Sequence, residues 1–187
     1  AGAFPVIAGN MSQIEFLRGY FPDAEYRLLD GYDVSYGNNV TLDIALQFRS
    51  LLQSVKRERK WLAANMENFN IKAIISDNRY GLHHPDVPSI FITHQVQIAG
   101  PKIAQGILDL LSKKHLSMFN QIWVPDYKGP TALAGKLSNS KDERISYLGP
   151  LSRFDRVTEG ETSAHSVKIF GIVSGPEEQR TLFENEL

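Results

Sequence analysis

Short apolar runs alternate with longer amphipathic segments along the chain, and this pattern predicts strands separated by helices. Residues 4–9 are a short apolar segment that ends at Asn10, and the predicted strands are residues 24–32, 71–76, 89–93, 121–125, 145–148 and 167–173. In the second half of the chain, the runs are apolar on successive residues. That pattern is typical of a parallel sheet whose two faces are covered by helices.

Apolar residues spaced by threes and fours predict the helices. The first helix is predicted to start at Ser12, which has the spacing of a capping box with Glu15 three residues later. The longest begins at Thr41 or Asp43 and extends to about residue 69. Its apolar face includes Val55 and Leu62, and its polar face is assigned Arg49, Lys56, Arg57, Glu58 and Lys60. Residues 102–118 and 131–137 are also predicted helices, whereas residues 77–88 show no helical period.

A change in composition divides the chain. Residues 149–166 are rich in Gly, Pro, Ser, Thr and Glu, and one strand and one helix start follow them. The sequence therefore predicts an α/β protein with a Rossmann-like parallel sheet flanked by helices in residues 1–150. Residues 151–166 are a linker, and residues 167–187 are the first βα unit of a second domain, which cannot bury a core alone.

Composition excludes several functions. The 187 residues carry a formal net charge of -1, which argues against nucleic-acid binding. The absence of cysteine excludes disulfides, thiolate metal sites and cysteine catalysis, and favours the cytoplasm. No apolar run is long enough to span a bilayer. The basic residues 56–60 are expected on a solvated helix face, with peripheral membrane contact as the alternative. The sequence does not indicate an oligomeric state.

Candidate chemistry follows from the sheet, because open parallel sheets bind ligands beyond the carboxyl ends of their strands. The polar residues at these positions are Asp77, Asn78, Arg79, His94, Gln95 and Asp126. Asp77 and His94 are the candidate catalytic bases. The other four are candidate substrate-binding residues.

Each of these residues also has a structural interpretation. Asp77 and Asn78 can bond their own loop, and Arg79 can pair with a neighbouring carboxylate. His94 can be a structural histidine, and Asp126 can cap the next turn. His83, His84 and Asp86 are interpreted as a solvated loop and not as metal ligands, because adjacent residues rarely face one ion.

Five motifs occur in order: ISDNRYG, IFITHQ, WVPD, YLGPLSRF and SGPEEQR. Over residues 30–180 they resemble bacterial glycosyltransferases of the two-Rossmann-domain (GT-B) type. These are related to the enzyme that adds N-acetylglucosamine to a lipid-linked peptidoglycan precursor. The segment after the fourth predicted strand is similar to that family's His-Glu-Gln-Asn stretch, with Gln95 in place of the Glu.

The resemblance implies transfer of a sugar from a nucleotide-sugar donor to an acceptor, which in this family is lipid-linked, without metal or other cofactor. Ser174 and Gly175 would bind the donor diphosphate at a helix start. The family's first strand and Gly-rich loop would precede Ala1, and its donor domain would follow Leu187. The chain is therefore expected to be an acceptor-domain fragment without transferase activity of its own. A nucleotide-sugar epimerase and a non-catalytic Rossmann-like ligand-binding module remain alternatives.

Overall fold

The computed structural model describes residues 4–31, 40–97, 113–152 and 177–186. The chain divides into two compact units, Ala1–Leu151 and Ser152–Leu187. In the first unit, the elements in chain order are β1 (Val6–Gly9), α1 (Met11–Arg18), β2 (Glu25–Leu28), α2 (Val40–Asn65), β3 (Ile74–Asp77), β4 (Ser89–Ile92), β5 (Gln121–Val124) and β6 (Ile145–Tyr147). β2, β4, β5 and β6 lie within predicted strands. β3 ends at Asp77, one residue beyond the predicted strand 71–76, and β1 lies in the apolar segment 4–9, for which no strand was predicted.

Every strand pairing in the described part of the chain is parallel. β1 pairs with β2 in a two-stranded sheet, and β3, β4, β5 and β6 form a second sheet in that order. The registers place Ile74 of β3 opposite Ser89 and Ile122 of β5 opposite Ile145. The first unit is therefore an α/β structure built on parallel sheets, which is compatible with a Rossmann-like fold.

The start of α1 differs from the prediction. Asn10, and not Ser12, is the N-cap: its side chain accepts a hydrogen bond from the Gln13 backbone N–H at 2.9 Å. The Gln13 side chain accepts from the Asn10 backbone N–H at 3.0 Å and completes a capping box. Ser12 instead donates to the Asn10 side chain. The helix therefore starts at Met11, after a capping box formed by Asn10 and Gln13, two residues before the predicted one.

The long helix α2 begins before both of its predicted caps, Thr41 and Asp43, and it joins the two sheets. Its buried Leu62 lies in one core cluster with Leu29, which follows β2, and Ile74 of β3. A second core cluster lies on the four-stranded sheet. Its buried members are Phe91, Leu116, Phe119, Ile122 and Val124.

Two of the predicted helices have a different outcome. Residues 131–137 are not an α-helix: two short 3-10 turns, Gly129–Thr131 and Gly135–Leu137, occupy this connection. The reason is a carboxylate that binds the backbone between them, described below. Of the helix predicted over 102–118, only the end is described, and residues 113–116 are helical. Residues 78–88 form turns without helix or strand, as predicted.

The second unit contributes one described helix, α3 (Glu177–Glu186). It begins just after the Ser-Gly-Pro sequence that predicts a helix start. The predicted strand 167–173, most of the predicted linker, and the donor-side residues Ser174 and Gly175 lie outside the described residues.

Candidate functional site

The carboxyl ends of β3 and β4 bring four of the predicted site residues to one edge of the sheet. Asp77 ends β3 opposite Ile92, the last residue of β4, and the Asn78 backbone N–H donates to the Ile92 carbonyl at 3.0 Å. His94 and Gln95 follow two and three residues after Ile92. The side chains of all four are exposed at this rim, which we define as Asp77, Asn78, His94 and Gln95.

The turn after β3 is held by the residues around Asp77. The buried Ser76 hydroxyl donates to the Arg79 carbonyl at 2.5 Å and closes the turn. Asn78 has a φ of 53°, in the left-handed region that asparagine tolerates better than most residues. Ser76 therefore carries the structural interaction of the turn, and the Asp77 carboxylate has no hydrogen-bond or ion-pair partner among the described residues.

The turn after β4 is built in a similar way. The buried Thr93 hydroxyl accepts from the Gln95 backbone N–H at 3.1 Å. The next two backbone N–H groups, of Val96 and Gln97, both donate to the Leu137 carbonyl, at 2.9 and 3.0 Å. The loop that carries His94 is thereby fixed to the connection between β5 and β6.

Asp126 organises that connection from inside the protein. Its side chain is 1% exposed and accepts from the Ser138 hydroxyl at 2.6 Å. It also accepts from the backbone N–H groups of Tyr127 (2.7 Å), Leu133 (2.7 Å) and Ala134 (3.0 Å). The Ser138 hydrogen bond, followed by the backbone donors, holds the pKa of this carboxyl far below its usual range. These contacts favour the turn-capping interpretation over substrate binding, and they explain why no α-helix forms over 131–137.

Arg79 is also engaged inside the fold. Its Nη1 lies 3.5 Å from Glu58 Oε1 and donates to the Asp30 carbonyl at 2.9 Å, and its Nη2 donates to the Leu29 carbonyl at 3.4 Å. The other Glu58 oxygen accepts from the Gly81 backbone N–H at 2.8 Å. The structure therefore favours the interpretation in which Arg79 pairs with a neighbouring carboxylate.

Glu58 was predicted to lie on the solvated face of α2, and the structure shows that this prediction is wrong. The residue is 2% exposed, and burial raises the pKa of its carboxyl against the opposing effects of the Gly81 N–H and Arg79. The missed signal is its position, three residues after Val55 and four before Leu62, which is the apolar face of the helix.

A small depression lies beside the carboxyl end of β2. Its volume is about 250 Å³, and it is lined by Leu28, Leu29, Asp30, Arg57 and Trp61. The Trp61 indole N–H donates to the Leu28 carbonyl at 2.9 Å, which fixes the ring. The space is below the ~300–1,000 Å³ of typical ligand pockets.

The sequence also places His83, His84 and Asp86 close together in the loop before β4. His84 lies 3.7 Å from the Asp86 carboxylate, in a half-exposed loop. Among the described residues no group of three or more metal-binding side chains is placed to hold an ion. No helix in the described ranges has the length and apolarity that crossing a bilayer requires.

Comparisons with known proteins found no matching family model, no similar curated protein and no similar solved structure.

Proposed function

We propose that this chain is the acceptor-binding domain of a glycosyltransferase and that the acceptor sugar binds at the rim formed by Asp77, Asn78, His94 and Gln95. The observation that carries the proposal is the exposure of these four side chains at the carboxyl ends of two adjacent parallel strands. This is the place where open parallel sheets bind their ligands. The motif resemblance to glycosyltransferases supplies the reaction class.

The chemistry of the rim suits hydroxyl-rich ligands. Asn78 and Gln95 each offer both donors and acceptors, and a carboxylate accepts hydrogen bonds from sugar hydroxyls. Ser76 and Thr93 hold the two turns from the buried side, so these groups sit on fixed backbone. A fixed backbone reduces the entropy lost when a ligand is bound.

In the proposed reaction, an acceptor hydroxyl attacks the anomeric carbon of a nucleotide sugar. A new C–O bond forms, the bond between that carbon and the diphosphate oxygen breaks, and the hydroxyl proton passes to a base of the rim. Asp77 is the first candidate base, because its carboxylate has no other partner among the described residues, and His94 is the second. A positioned base contributes about 10²–10⁴-fold to such a rate.

The first experiment measures binding of mono- and disaccharides to this chain by NMR titration. Asp77→Asn and His94→Gln are compared with Asp23→Asn, a matched control in an exposed turn before the amino end of β2. A hydrogen bond to a charged group contributes about 1.5–3 kcal/mol, so the Asp77 variant should bind about 10–100-fold more weakly. The control should bind like the wild type. Sugar binding that is unaffected by both rim variants would refute the assignment of the rim.

The second experiment tests the reaction itself in the full-length gene product with a panel of nucleotide sugars. Asp77→Asn should lower kcat by about 10²-fold or more while KM for the donor changes little. If the sugar binds at the rim but the full-length product transfers none, the ligand-binding module is the better description.

A further inference from the structure

β1 has one edge that no described strand covers. In a parallel pair, the N–H and C=O groups of one residue point to the same side of the strand, and those of the next residue point to the other side. The Gly9 carbonyl accepts from the Leu29 N–H at 2.8 Å, on the side of β2. The N–H and C=O groups of Ala8 therefore point away from β2.

β3 has an uncovered edge of the same kind. The N–H groups of Ile74 and Asn78 both donate toward β4, at 2.9 and 3.0 Å. The N–H and C=O groups of Ile75 and Asp77 therefore point to the opposite side, where no described strand pairs with β3.

α1 and α2 lie on opposite faces of the β1–β2 pair. The Arg18 guanidinium of α1 lies over the Tyr26 ring, 5.3 Å from its centre. Arg27 follows Tyr26 and so points to the other face, which it shares with Ala8, its partner in the register. On that face, Ala8 packs against the core cluster that contains Leu62 of α2.

The handedness of the connections places the two uncovered edges opposite each other. Parallel strands are joined by right-handed crossovers in about 98% of cases. The chain passes from β1 to β2 through α1 on one face, and from β2 to β3 through α2 on the other face. Right-handed crossovers on opposite faces move in opposite directions across a sheet, so β3 lies on the side of β1 away from β2. The Ala8 edge of β1 therefore faces the edge of β3 that carries Ile75 and Asp77, and we call the space between these edges the slot.

The slot has an apolar floor and is narrow. Ala8 of β1 and Ile74 of β3 pack in the same cluster with Leu62 of α2, so the helix lies under both sides of the slot. Arg79, in the turn after β3, donates to the first two carbonyls after β2. Strands in a sheet are about 4.8 Å apart, so one strand in the slot already separates β2 from β3 by about 14 Å. Because a single side chain connects the ends of β2 and β3, the slot holds one strand at most.

We propose that the slot binds one extended strand, parallel to β1 and β3, from the polypeptide that precedes Ala1 in the full-length gene product. The direction of winding carries this choice of occupant. A strand that precedes β1, and is joined to it by a right-handed crossover over the α1 face, lies on the side of β1 away from β2. That position is the slot. Every second residue of the strand is apolar, because it faces the floor that Leu62 forms.

The bound strand completes two backbone ladders. It pairs with Ala8 on one side and with Ile75 and Asp77 on the other, so the two sheets become one continuous parallel sheet. An uncovered strand edge is a template for such pairing. The carboxyl end of the bound strand lies beside Asp77, and the loop that follows it therefore contributes to the rim.

Amide hydrogen exchange, followed by NMR, compares this chain with the full-length gene product. The Ala8, Ile75 and Asp77 amides should exchange at least about tenfold more slowly in the full-length product, because each gains a ladder hydrogen bond there. The Ile74 and Asn78 amides already donate toward β4, so they are the matched controls and should change much less.

Three results would overturn the proposal. The first is equal exchange of the Ala8 and Ile75 amides in the two proteins, and the second is a gene product without residues before Ala1. The third is protection of these amides that rises with the concentration of this chain, because a second copy then occupies the slot. Sugar binding at the rim is measured separately on this chain, so the failure of one proposal leaves the other standing.

Proline variants give a second readout. Ile75→Pro removes only an N–H that points into the slot, and proline is tolerated at such edge positions. In this chain the variant should change the melting temperature little, whereas in the full-length product it should lower it by about 2–8 °C, because a ladder bond is lost. Ile74→Pro removes a bond to β4 and should destabilise both proteins alike. Equal shifts for Ile75→Pro in the two proteins would contradict the proposal, and the exchange comparison decides it if a proline variant does not fold.

Discussion

Arg79 connects three separate segments of the first unit, and we expect its removal to destabilise the fold. The guanidinium lies beside the Glu58 carboxylate of α2 and donates to the carbonyls of Leu29 and Asp30, which follow β2. In the variant Arg79→Met, an uncharged side chain replaces the guanidinium. Glu58 then keeps the Gly81 N–H as its hydrogen-bond donor but loses its counter-ion.

The size of the effect follows from burial. The Glu58 side chain is 3% exposed and that of Arg79 is 12% exposed, so water cannot replace the lost partner easily. Removing one member of a buried ion pair typically costs about 3–5 kcal/mol. The total stability of a domain is about 5–15 kcal/mol, so Arg79→Met should lose a large fraction of it. Arg79→Lys keeps the charge and should lose less, because it gives up mainly the two-pronged hydrogen bonding.

Urea denaturation followed by circular dichroism measures the free energy of unfolding of each Arg79 variant. The pH dependence of this free energy provides a second test of the explanation. Burial raises the pKa of Glu58 above its ordinary value of 4.5 despite Gly81 and Arg79. The folded state therefore favours the protonated carboxyl, and the associated stability is present below about pH 4.5 and lost as the pH rises through the folded-state pKa. Without Arg79 the pKa rises further. The deficit of Arg79→Met should consequently shrink as the pH is lowered from 7.

The double variant Glu58→Gln/Arg79→Met tests the same explanation from the other side. The amide carbonyl introduced at position 58 can still accept from the Gly81 N–H, and no buried charge remains. We expect the double variant to be more stable than Arg79→Met alone. The reasoning is refuted if Arg79→Met costs less than about 1 kcal/mol, or if its cost is independent of pH and is not relieved in the double variant.

Two further predictions concern buried groups. Asp126→Asn should lower the melting temperature at neutral pH and speed amide exchange over 127–139. Because the pKa of the Asp126 carboxyl is lowered in the fold, the stabilisation that it provides is present above about pH 3.8 and is lost as the pH falls through the folded-state pKa. Wild-type melting and exchange in that variant would contradict the role of this carboxylate. Gly81→Ala should cost about 1–3 kcal/mol in urea denaturation, because its Cβ would lie 2.6 Å from the Val55 carbonyl and from Glu58 Cβ. Gly19→Ala, whose Cβ meets nothing closer than 3.5 Å, is the control and should be neutral, and equal effects in the two variants would exclude this steric explanation.

The sequence predicted β2 to β6 well, because apolar runs are buried and the turn residues between them are polar, but it did not assign β1. It predicted helix starts less well. Ser12 and Asn10 both have capping chemistry, and only the structure shows that Gln13 completes the earlier box. The 3-10 turns after β5 were not predictable from local periodicity, since their cause is Asp126, whose carboxylate binds backbone groups seven and eight residues away.

For the candidate site, the sequence identified an edge of the sheet where polar side chains gather, but it did not separate supporting residues from exposed ones. Every loop after a parallel strand needs a polar group for its own backbone, so a polar residue at that position is expected with or without a ligand. Ser76, Thr93 and Asp126 meet this need from buried positions. Asp77 and His94 are exposed neighbours of the first two.

Successive side chains of a strand point to alternate faces of the sheet. Continuing this alternation past the strand end separates the buried residues that support the turns from the exposed ones. Side chains two residues apart share a face, so Asp126 lies on the face of the buried Ile122 and Val124, and Ser76 shares the face of the buried Ile74. Asp77 instead shares the face of Ile75, which is 58% exposed. The sequence could not reveal this distinction because both faces of these strands carry apolar residues, such as Trp123 between Ile122 and Val124. Once one face is known to be buried, the same alternation assigns Ser76 and Asp126 to the support of the turns and leaves Asp77 available to a ligand.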